Sequence, residues 1–129
     1  MASSTSRSPP GTWSTRSDSG TETVPFLSPS EQTHREPMPG FVGRFSTGLT
    51  MTSVNWTIAA GATLPEHAHP HEQISHVLTG EFEFTIGNET QRLGPSMVAV
   101  VPPNVTHSGR AVTECRIIDV FHPVRDDYR

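Results

Sequence analysis

The chain has 129 residues, of which 33% are apolar, and a formal net charge of −4 at neutral pH. This length suits one domain, and its nine basic residues are scattered, so neither a nucleic-acid surface nor a nucleic-acid partner is expected. No apolar stretch is long enough for a membrane span or a secretory signal peptide. With a single cysteine, Cys115, the sequence predicts a cytoplasmic protein that does not bind membranes.

The first part of the chain differs in composition from the rest. From residue 1 to residue 33, about two thirds of the residues are Ser, Thr, Pro or Gly, without sustained apolar periodicity. Such a segment cannot bury enough apolar surface to offset the entropy lost on ordering. We therefore predict a disordered tail over residues 1–36 and one folded domain over residues 37–129. A core of roughly 90 residues is near the lower limit for independent stability, so we also expect a homodimer.

From residue 39 onward the sequence has the character of β-structure. Val54, Trp56 and Ile58 alternate with polar residues, and residues 81–86 alternate between polar and apolar side chains throughout. Gly, Pro and Asn punctuate the chain between such runs. Segment 61–70 is predicted to be turn-rich. The predicted strands are 41–45, 51–58, 73–78, 81–86, 89–93, 97–101, 107–112 and 114–121.

No window has a helical period, so the predicted fold is all-β, either a sandwich or a barrel. Periodicity alone does not separate a jelly roll from an immunoglobulin-like sandwich.

Four residues form a candidate metal site. His67 and His69 are alternate residues, so both imidazoles point to one side of an extended chain. Gln73 lies an even number of residues further on, and His107 follows a strand and a turn. Imidazole and carbonyl oxygen are common ligands of divalent transition metals. We predict one such ion, Zn, Ni, Fe, Mn or Co, held by His67, His69, Gln73 and His107.

Gln73 bears on the chemistry of that ion. An amide leaves the full positive charge on the metal, which favours Lewis-acid chemistry over oxidative cycling.

The sequence also contains two histidines close to the candidate ligands, His71 and His76. His71 is expected either to line the site or to face solvent. His76 lies an odd number of residues from Gln73, so a regular strand places it on the opposite face, unless a bulge turns it inward.

The last predicted strand carries a candidate acid. Ile117, Asp119 and Phe121 share one face of this strand. A carboxylate among apolar residues is costly to bury without a partner or a function, and its pKa can be raised there. Asp119 is therefore a candidate general acid or base, or else a structural partner of an arginine or a turn.

Two motifs and the end of the chain resemble a known family. Gly61, His67, His69 and Gly80 match the register of the first cupin motif, with Gln73 in place of Glu, and Gly94, Pro102, Asn104 and His107 match the second more loosely. The closing segment, Asp-Val-Phe-His-Pro-Val-Arg-Asp over residues 119–126, resembles that of the KdgF family of small cupins. This resemblance implies a cupin-type double-stranded β-helix (jelly roll) over residues 37–129.

The same resemblance implies a function. Members of the KdgF family convert 4,5-unsaturated uronates, small molecules released from pectin or alginate, into open-chain keto forms. The resemblance implies that the metal is bound by His67, His69, Gln73 and His107. It also implies that Asp119 is the catalytic acid or base. Phe121 and Arg125 would complete the catalytic pocket.

Three alternatives stay open at the level of sequence. A cyclase or isomerase of polyketide intermediates would need an apolar cavity, whereas a uronate needs cationic groups such as Arg125 and Arg44. A quercetinase-like dioxygenase would consume oxygen. A non-catalytic sugar-sensing or ligand-sensing cupin would bind a uronate without converting it.

Overall fold

The computed structural model describes residues 25–129. The chain divides into two units, Met1–Glu31 and Gln32–Arg129. Most of the predicted disordered tail lies outside the described residues. The described part of the first unit contains a short 3₁₀ turn, Pro29–Glu31.

The second unit contains ten strands, and the all-β prediction is confirmed. The strands are β1 Thr33–Met38, β2 Phe41–Thr47, β3 Thr52–Ile58, β4 Thr63–His67, β5 Glu72–Thr79, β6 Phe82–Ile86, β7 Glu89–Leu93, β8 Val98–Val101, β9 His107–Ala111 and β10 Cys115–His122. A second 3₁₀ turn, Asp126–Tyr128, follows the last strand. Among residues 25–129, no helix is long and apolar enough to cross a membrane.

The strands form two antiparallel sheets. One has the order β1-β2-β3-β10-β5-β8 and the other the order β4-β9-β6-β7. From β3 to β10 the chain crosses from one sheet to the other at every connection except the β6–β7 hairpin, in the manner of a jelly roll, which is the architecture the motifs implied. Buried side chains from alternate positions of both sheets fill the space between them.

Aromatic residues dominate the core near β3. Phe41 and Phe45 pack edge-to-face on Trp56, with ring centroids 5.8 and 5.5 Å away. Such pairs add to the stabilisation that burial of each ring provides. Phe82 extends this cluster from the second sheet to Phe41, at 6.4 Å. The aromatic side chains therefore link the two sheets and form one wall of the space between them.

Two strands differ from the predictions. β4 lies within segment 61–70, which the sequence predicted as turn-rich, and it forms because Thr63, Leu64 and His67 pair with β9. β1 pairs with β2 although its first five residues are exposed. The predicted boundary between the tail and the folded domain, at residue 36, falls within this strand. Neither strand has the apolar alternation that marks a half-buried strand, so periodicity could not reveal them.

Candidate metal centre

Three histidines meet at one end of the space between the sheets. His67 ends β4, His107 begins β9 opposite it, and His69 lies in the loop that leads to β5. Their ring centroids are 4.2 Å apart for His67 and His107, and 4.8 Å apart for His69 and His107. One ring nitrogen from each lies within 4.8 Å of the others, a spacing that allows them to hold one metal ion.

Backbone carbonyl groups orient all three imidazoles in the same way. In each ring, Nδ1 is within hydrogen-bond distance of a carbonyl oxygen two residues away: His67 with Pro65 at 2.8 Å, His69 with His71 at 3.0 Å and His107 with Val105 at 2.9 Å. Because a carbonyl oxygen only accepts, these contacts favour the tautomer with hydrogen on Nδ1. Nε2 of each ring then presents its lone pair to the centre of the cluster, an arrangement typical of metal-binding histidines.

Two observations test whether these residues fit a cation. His107 Nε2 is buried and has no hydrogen-bond partner. His69 faces two acceptor oxygens, that of His71 and the side-chain Oε1 of Gln73 at 3.1 Å, yet a neutral imidazole has only one N–H. A cation bound by Nε2 and Oε1 resolves this conflict, so the donor set fits a divalent metal ion.

Burial keeps the His69 and His107 rings neutral. It lowers the pKa of His107 to about 4 and also lowers the pKa of His69, with smaller contributions from neighbouring positive groups. Both imidazoles are therefore unprotonated near neutral pH, which is the form that binds metal.

A chain of hydrogen bonds links Gln73 to the predicted acid. The Gln73 amide nitrogen donates to Ser75 Oγ at 3.0 Å, which turns the amide oxygen toward His69. Ser75 in turn donates to Asp119 Oδ1 at 2.5 Å, and Trp56 Nε1 donates to Asp119 Oδ2 at 2.9 Å. Burial raises the pKa of Asp119, although the donors Ser75, Trp56 and Gln73 and the charge of Arg125 oppose this effect. Asp119 is thus a buried carboxyl group linked to the metal centre through two side chains.

The C-terminal segment closes the other side of the site. The Arg125 guanidinium lies over the rings of Phe121 and Tyr128, 4.7 and 3.9 Å from their centroids. It also forms an ion pair with Asp127 at 2.6 Å. The Arg125 backbone nitrogen donates to Thr52 Oγ1, so the segment is attached to β3. These contacts leave the guanidinium at the site with its charge partly offset by Asp127.

The space in front of these groups is small and mostly apolar. An inner chamber of about 40 Å³ has Gln73, Ser75 and Asp119 among walls that are otherwise mainly aliphatic and aromatic. An adjoining mouth of about 240 Å³ shares His67, Arg125 and other residues with it. The inner chamber has room for about three water molecules. A substrate would therefore have to reach from the mouth into the chamber to contact Asp119, and the mouth is below the roughly 300–1000 Å³ typical of sites for drug-sized ligands.

The structure brings the predicted site residues together. His67, His69, Gln73 and His107 form the candidate metal centre, with Asp119, Phe121 and Arg125 beside it. Asp119 is linked to Gln73 through Ser75, and the Arg125 guanidinium lies over the Phe121 ring.

The other candidates lie elsewhere or at the rim. The His71 ring is 5.4 Å from that of His69, at the edge of the site. His76 is exposed on the outward face of β5, as its spacing from Gln73 predicted. Arg44 is not among the residues that line the chamber or its mouth.

Three residues of the site were not predicted. Ser75 could have been found, because it shares the inward face of β5 with Gln73. Trp56 and Tyr128 give no such signal, since only the folded chain brings β3 and the C-terminal turn to Asp119 and Arg125.

Comparison with known proteins agrees with this fold. Residues 54–121 match the family model of the cupin domain. The chain belongs to the cupin family. Within that family it resembles KdgF: the KdgF structure from Halomonas sp. superposes with a TM-score of 0.73 and is 30% identical, over 79% of this chain and 97% of that one.

Two further relatives were found. An RmlC-like cupin from Shewanella frigidimarina has a TM-score of 0.76 and 26% identity, over 81% of this chain and 96% of that chain. An uncharacterized protein of Streptomyces coelicolor is 29% identical over 69 residues, which cover 53% of this chain and 66% of that protein.

Proposed function

We propose that this cupin is a metal-dependent isomerase that converts 4,5-unsaturated uronates into their open-chain keto forms. The observation that carries the proposal is the continuous set of groups from His69 and Gln73 through Ser75 to Asp119, facing a small cavity next to Arg125. The likeness to KdgF along nearly the whole length of that protein supports the same reaction.

His67, His69, Gln73 and His107 would hold the metal. When bound, the ion supplies Lewis-acid stabilisation of the negative charge that develops on an enol oxygen. Because Gln73 is neutral, the four protein ligands contribute no negative charge that would weaken this effect. The identity of the ion is left open by an N/O ligand set, which suits Zn, Ni, Fe, Mn and Co.

The reaction rearranges the substrate without adding or removing atoms. Opening of the hemiacetal breaks the bond between C1 and the ring oxygen, which leaves an aldehyde at C1 and an enol at C4–C5. A proton then adds to C4 while the enol hydroxyl loses its proton, and C5 becomes a ketone. The protein must therefore place a proton donor near C4 and fix the substrate carboxylate.

Asp119 is suited to deliver the proton to C4, because burial raises the pKa of its carboxyl group and helps it to hold a proton. Ser75 supports either protonation state, since its hydroxyl can donate to the carboxylate or accept from the acid. Arg125 would bind the substrate carboxylate at the mouth of the site. Its stacking on Phe121 and Tyr128 limits the orientations that the guanidinium can take.

The test is to mix the purified protein with freshly generated 4,5-unsaturated galacturonate and follow the ultraviolet absorbance of the C4=C5 bond. We expect rapid loss of absorbance that a chelator prevents. Asp119→Ala should abolish this activity while the bound metal remains, and loss of both together would indicate a structural role for Asp119. A rate equal to that of the spontaneous reaction, with metal bound, would contradict the proposal.

One observation favours a second candidate function. The chamber is lined mainly by apolar side chains and lacks Arg44, and Arg125 is already paired with Asp127. These features suit a cyclase or isomerase of an enolisable apolar substrate, such as a polyketide intermediate. Such an enzyme would leave the uronate absorbance unchanged and would convert the apolar substrate in a metal-dependent manner.

A further inference from the structure

The ion pair between Arg125 and Asp127 uses only one edge of the guanidinium group. Arg125 Nε donates to Asp127 Oδ1 at 3.1 Å, and Nη2 donates to Oδ2 at 2.6 Å. We call this edge the outer edge. The inner edge consists of Nη1 and the second hydrogen of Nη2, and among residues 25–129 the Arg125 side chain makes no further hydrogen bond. The inner edge can therefore bind a second carboxylate in the same two-pronged way.

Arg125 faces the cavity, whereas Asp127 does not. Arg125 lines both the inner chamber and its mouth, and Asp127 lines neither. The Asp127 side chain is 58% exposed, against 11% for that of Arg125. Asp127 therefore holds the guanidinium from the solvent side and does not occupy the space in which a ligand would bind.

The backbone fixes Asp127 in this position. The Tyr128 backbone nitrogen donates to the Arg125 carbonyl oxygen at 3.0 Å, which closes the 3₁₀ turn that brings Asp127 back to Arg125. The segment is attached to the sheet on both sides of this turn. The Arg125 backbone nitrogen donates to Thr52 Oγ1 at 2.9 Å, and Arg35 donates to the Arg129 carbonyl oxygen at 2.8 Å. The Asp127 carboxylate thus belongs to an anchored turn.

The aromatic contacts and the ion pair restrain Arg125 in different ways. Phe121 and Tyr128 restrict the position of its Cζ atom, which lies 4.7 and 3.9 Å from their ring centroids. The face of a ring attracts a cation without selecting the direction of each N–H group. A carboxylate bound through both oxygens does select it, because two N–H groups must point at two acceptors. Asp127 therefore sets the direction of the inner edge.

We propose that Asp127 is a positioning residue that directs the inner edge of Arg125 toward the substrate carboxylate and so makes the site selective for anionic over neutral ligands. This inference rests on the proposed function, in which Arg125 binds the carboxylate of a uronate. A long side chain loses rotational freedom when a ligand immobilises it, and a partner that fixes it beforehand removes this cost. Solvent screens the exposed Asp127 carboxylate, so its repulsion of the substrate is the smaller effect.

The first experiment compares the kinetics of two neighbouring variants of the Zn²⁺-loaded protein, Asp127→Ala and Asp126→Ala. Asp126 is the matched control, because it lies in the same turn, is 83% exposed and pairs with a different arginine, Arg129, at 2.9 Å. Asp127→Ala should raise the KM for 4,5-unsaturated galacturonate about tenfold, the cost of ordering one long side chain.

The other kinetic constants separate positioning from a general structural role. In Asp127→Ala, kcat should change little, because the interaction with the carboxylate is made equally in the ground state and the transition state. Asp126→Ala should leave both constants unchanged. Asp127→Glu should recover most of the lost affinity, because it keeps a carboxylate that can bind the outer edge. A lower kcat with unchanged KM in Asp127→Ala, or equal effects of the two alanine variants, would overturn the proposal.

The second experiment measures binding without turnover. Saturated galacturonate and its methyl ester differ in the charge of the carboxyl group, and NMR titration of the Zn²⁺-loaded protein gives the Kd of each. Wild type should prefer the acid, and Asp127→Ala should lose about tenfold in affinity for the acid and none for the ester. A wild type without preference for the acid, or equal loss of both ligands in the variant, would overturn the proposal.

A double-mutant cycle tests whether Asp127 acts through Arg125. Arg125→Lys keeps the positive charge but lacks the planar fork, so Asp127→Ala should change the Kd of the acid by less than about twofold in this background. Additive losses would overturn the proposal, and thermal unfolding establishes that each variant is folded. If wild type binds the acid selectively but does not convert the unsaturated uronate, the proposed function fails and the role of Asp127 stands.

Discussion

Trp56 donates a hydrogen bond of 2.9 Å from its indole nitrogen to Asp119 Oδ2, although 63 residues separate the two in sequence. The bond connects the aromatic cluster of the core to the candidate acid. Phe41 and Phe45 both pack edge-to-face on the indole, which limits the directions that its N–H can take. Packing in the core therefore helps to set the protonation of Asp119.

Trp56→Phe should raise the pKa of Asp119 further, because it removes one of the donors that stabilise the carboxylate. A hydrogen bond to a charged group stabilises that charge, so loss of the indole donor disfavours the ionised form of Asp119. We expect the limb of the activity profile that depends on Asp119 to move to higher pH. An unchanged profile with reduced maximal activity would indicate that Trp56 only fills space.

Gln73→Glu should bind metal about tenfold more tightly and turn over more slowly. A carboxylate adds charge attraction to the ion, but it also offsets part of the positive charge that polarises the substrate. It removes the amide donor to Ser75 as well, so the single hydroxyl hydrogen of Ser75 would face two carboxyl groups. Competition with a chelating dye measures the affinity, and the absorbance assay measures turnover. Faster turnover of this variant would contradict the role assigned to the neutral amide.

His107→Ala should lower metal affinity by about 100-fold or more, since it removes a buried nitrogen aimed into the cluster. Added Zn²⁺ should raise the Tm of wild type, because a ligand present at 100 times its Kd stabilises a protein by about 2.7 kcal/mol. The Tm of His107→Ala should not respond. His76→Ala is the control, because it removes an exposed histidine from the outer face of β5. A metal response retained by His107→Ala would contradict the proposed ligand set.

Asp119→Asn should stabilise the metal-free protein at high pH. The pKa of Asp119 is raised by burial, so its neutral form contributes stability that is present at low pH and is lost as the pH rises through the folded-state value. An amide in its place does not ionise. We expect the variant to have the higher Tm at pH 8 in the presence of chelator, with the difference shrinking toward pH 4. A difference that is constant with pH would show that the folded protein does not raise this pKa.

The sequence predicted those parts of the molecule that depend on local pattern. The alternation from Glu81 to Ile86 predicted a strand there, and the structure forms β6 over Phe82–Ile86. The spacing of His67 and His69 predicted their shared direction. The sequence did not predict β4, because its five residues form a strand only by pairing with β9, which is far away in sequence.

The fine structure of the site could not be predicted for a similar reason. Each histidine is oriented by a carbonyl group two residues away, and the position of that oxygen depends on backbone angles that no side-chain pattern encodes. The link from Gln73 to Asp119 joins β5 to β10, so it depends on the register between two strands. Spacing thus predicted which residues meet, and the folded backbone determines how they meet.

The loop that carries His69 and the loop that carries Asn104 are joined by a backbone hydrogen bond. Asn104 has a φ of 65°, in the left-handed region, and its amide donates to the His69 carbonyl oxygen at 2.8 Å. The amide proton of Asn104 should therefore exchange slowly with solvent deuterium even in the metal-free protein. If so, the ligands are held in place before the ion arrives, and metal uptake would be limited by diffusion and dehydration of the ion rather than by rearrangement of the loops.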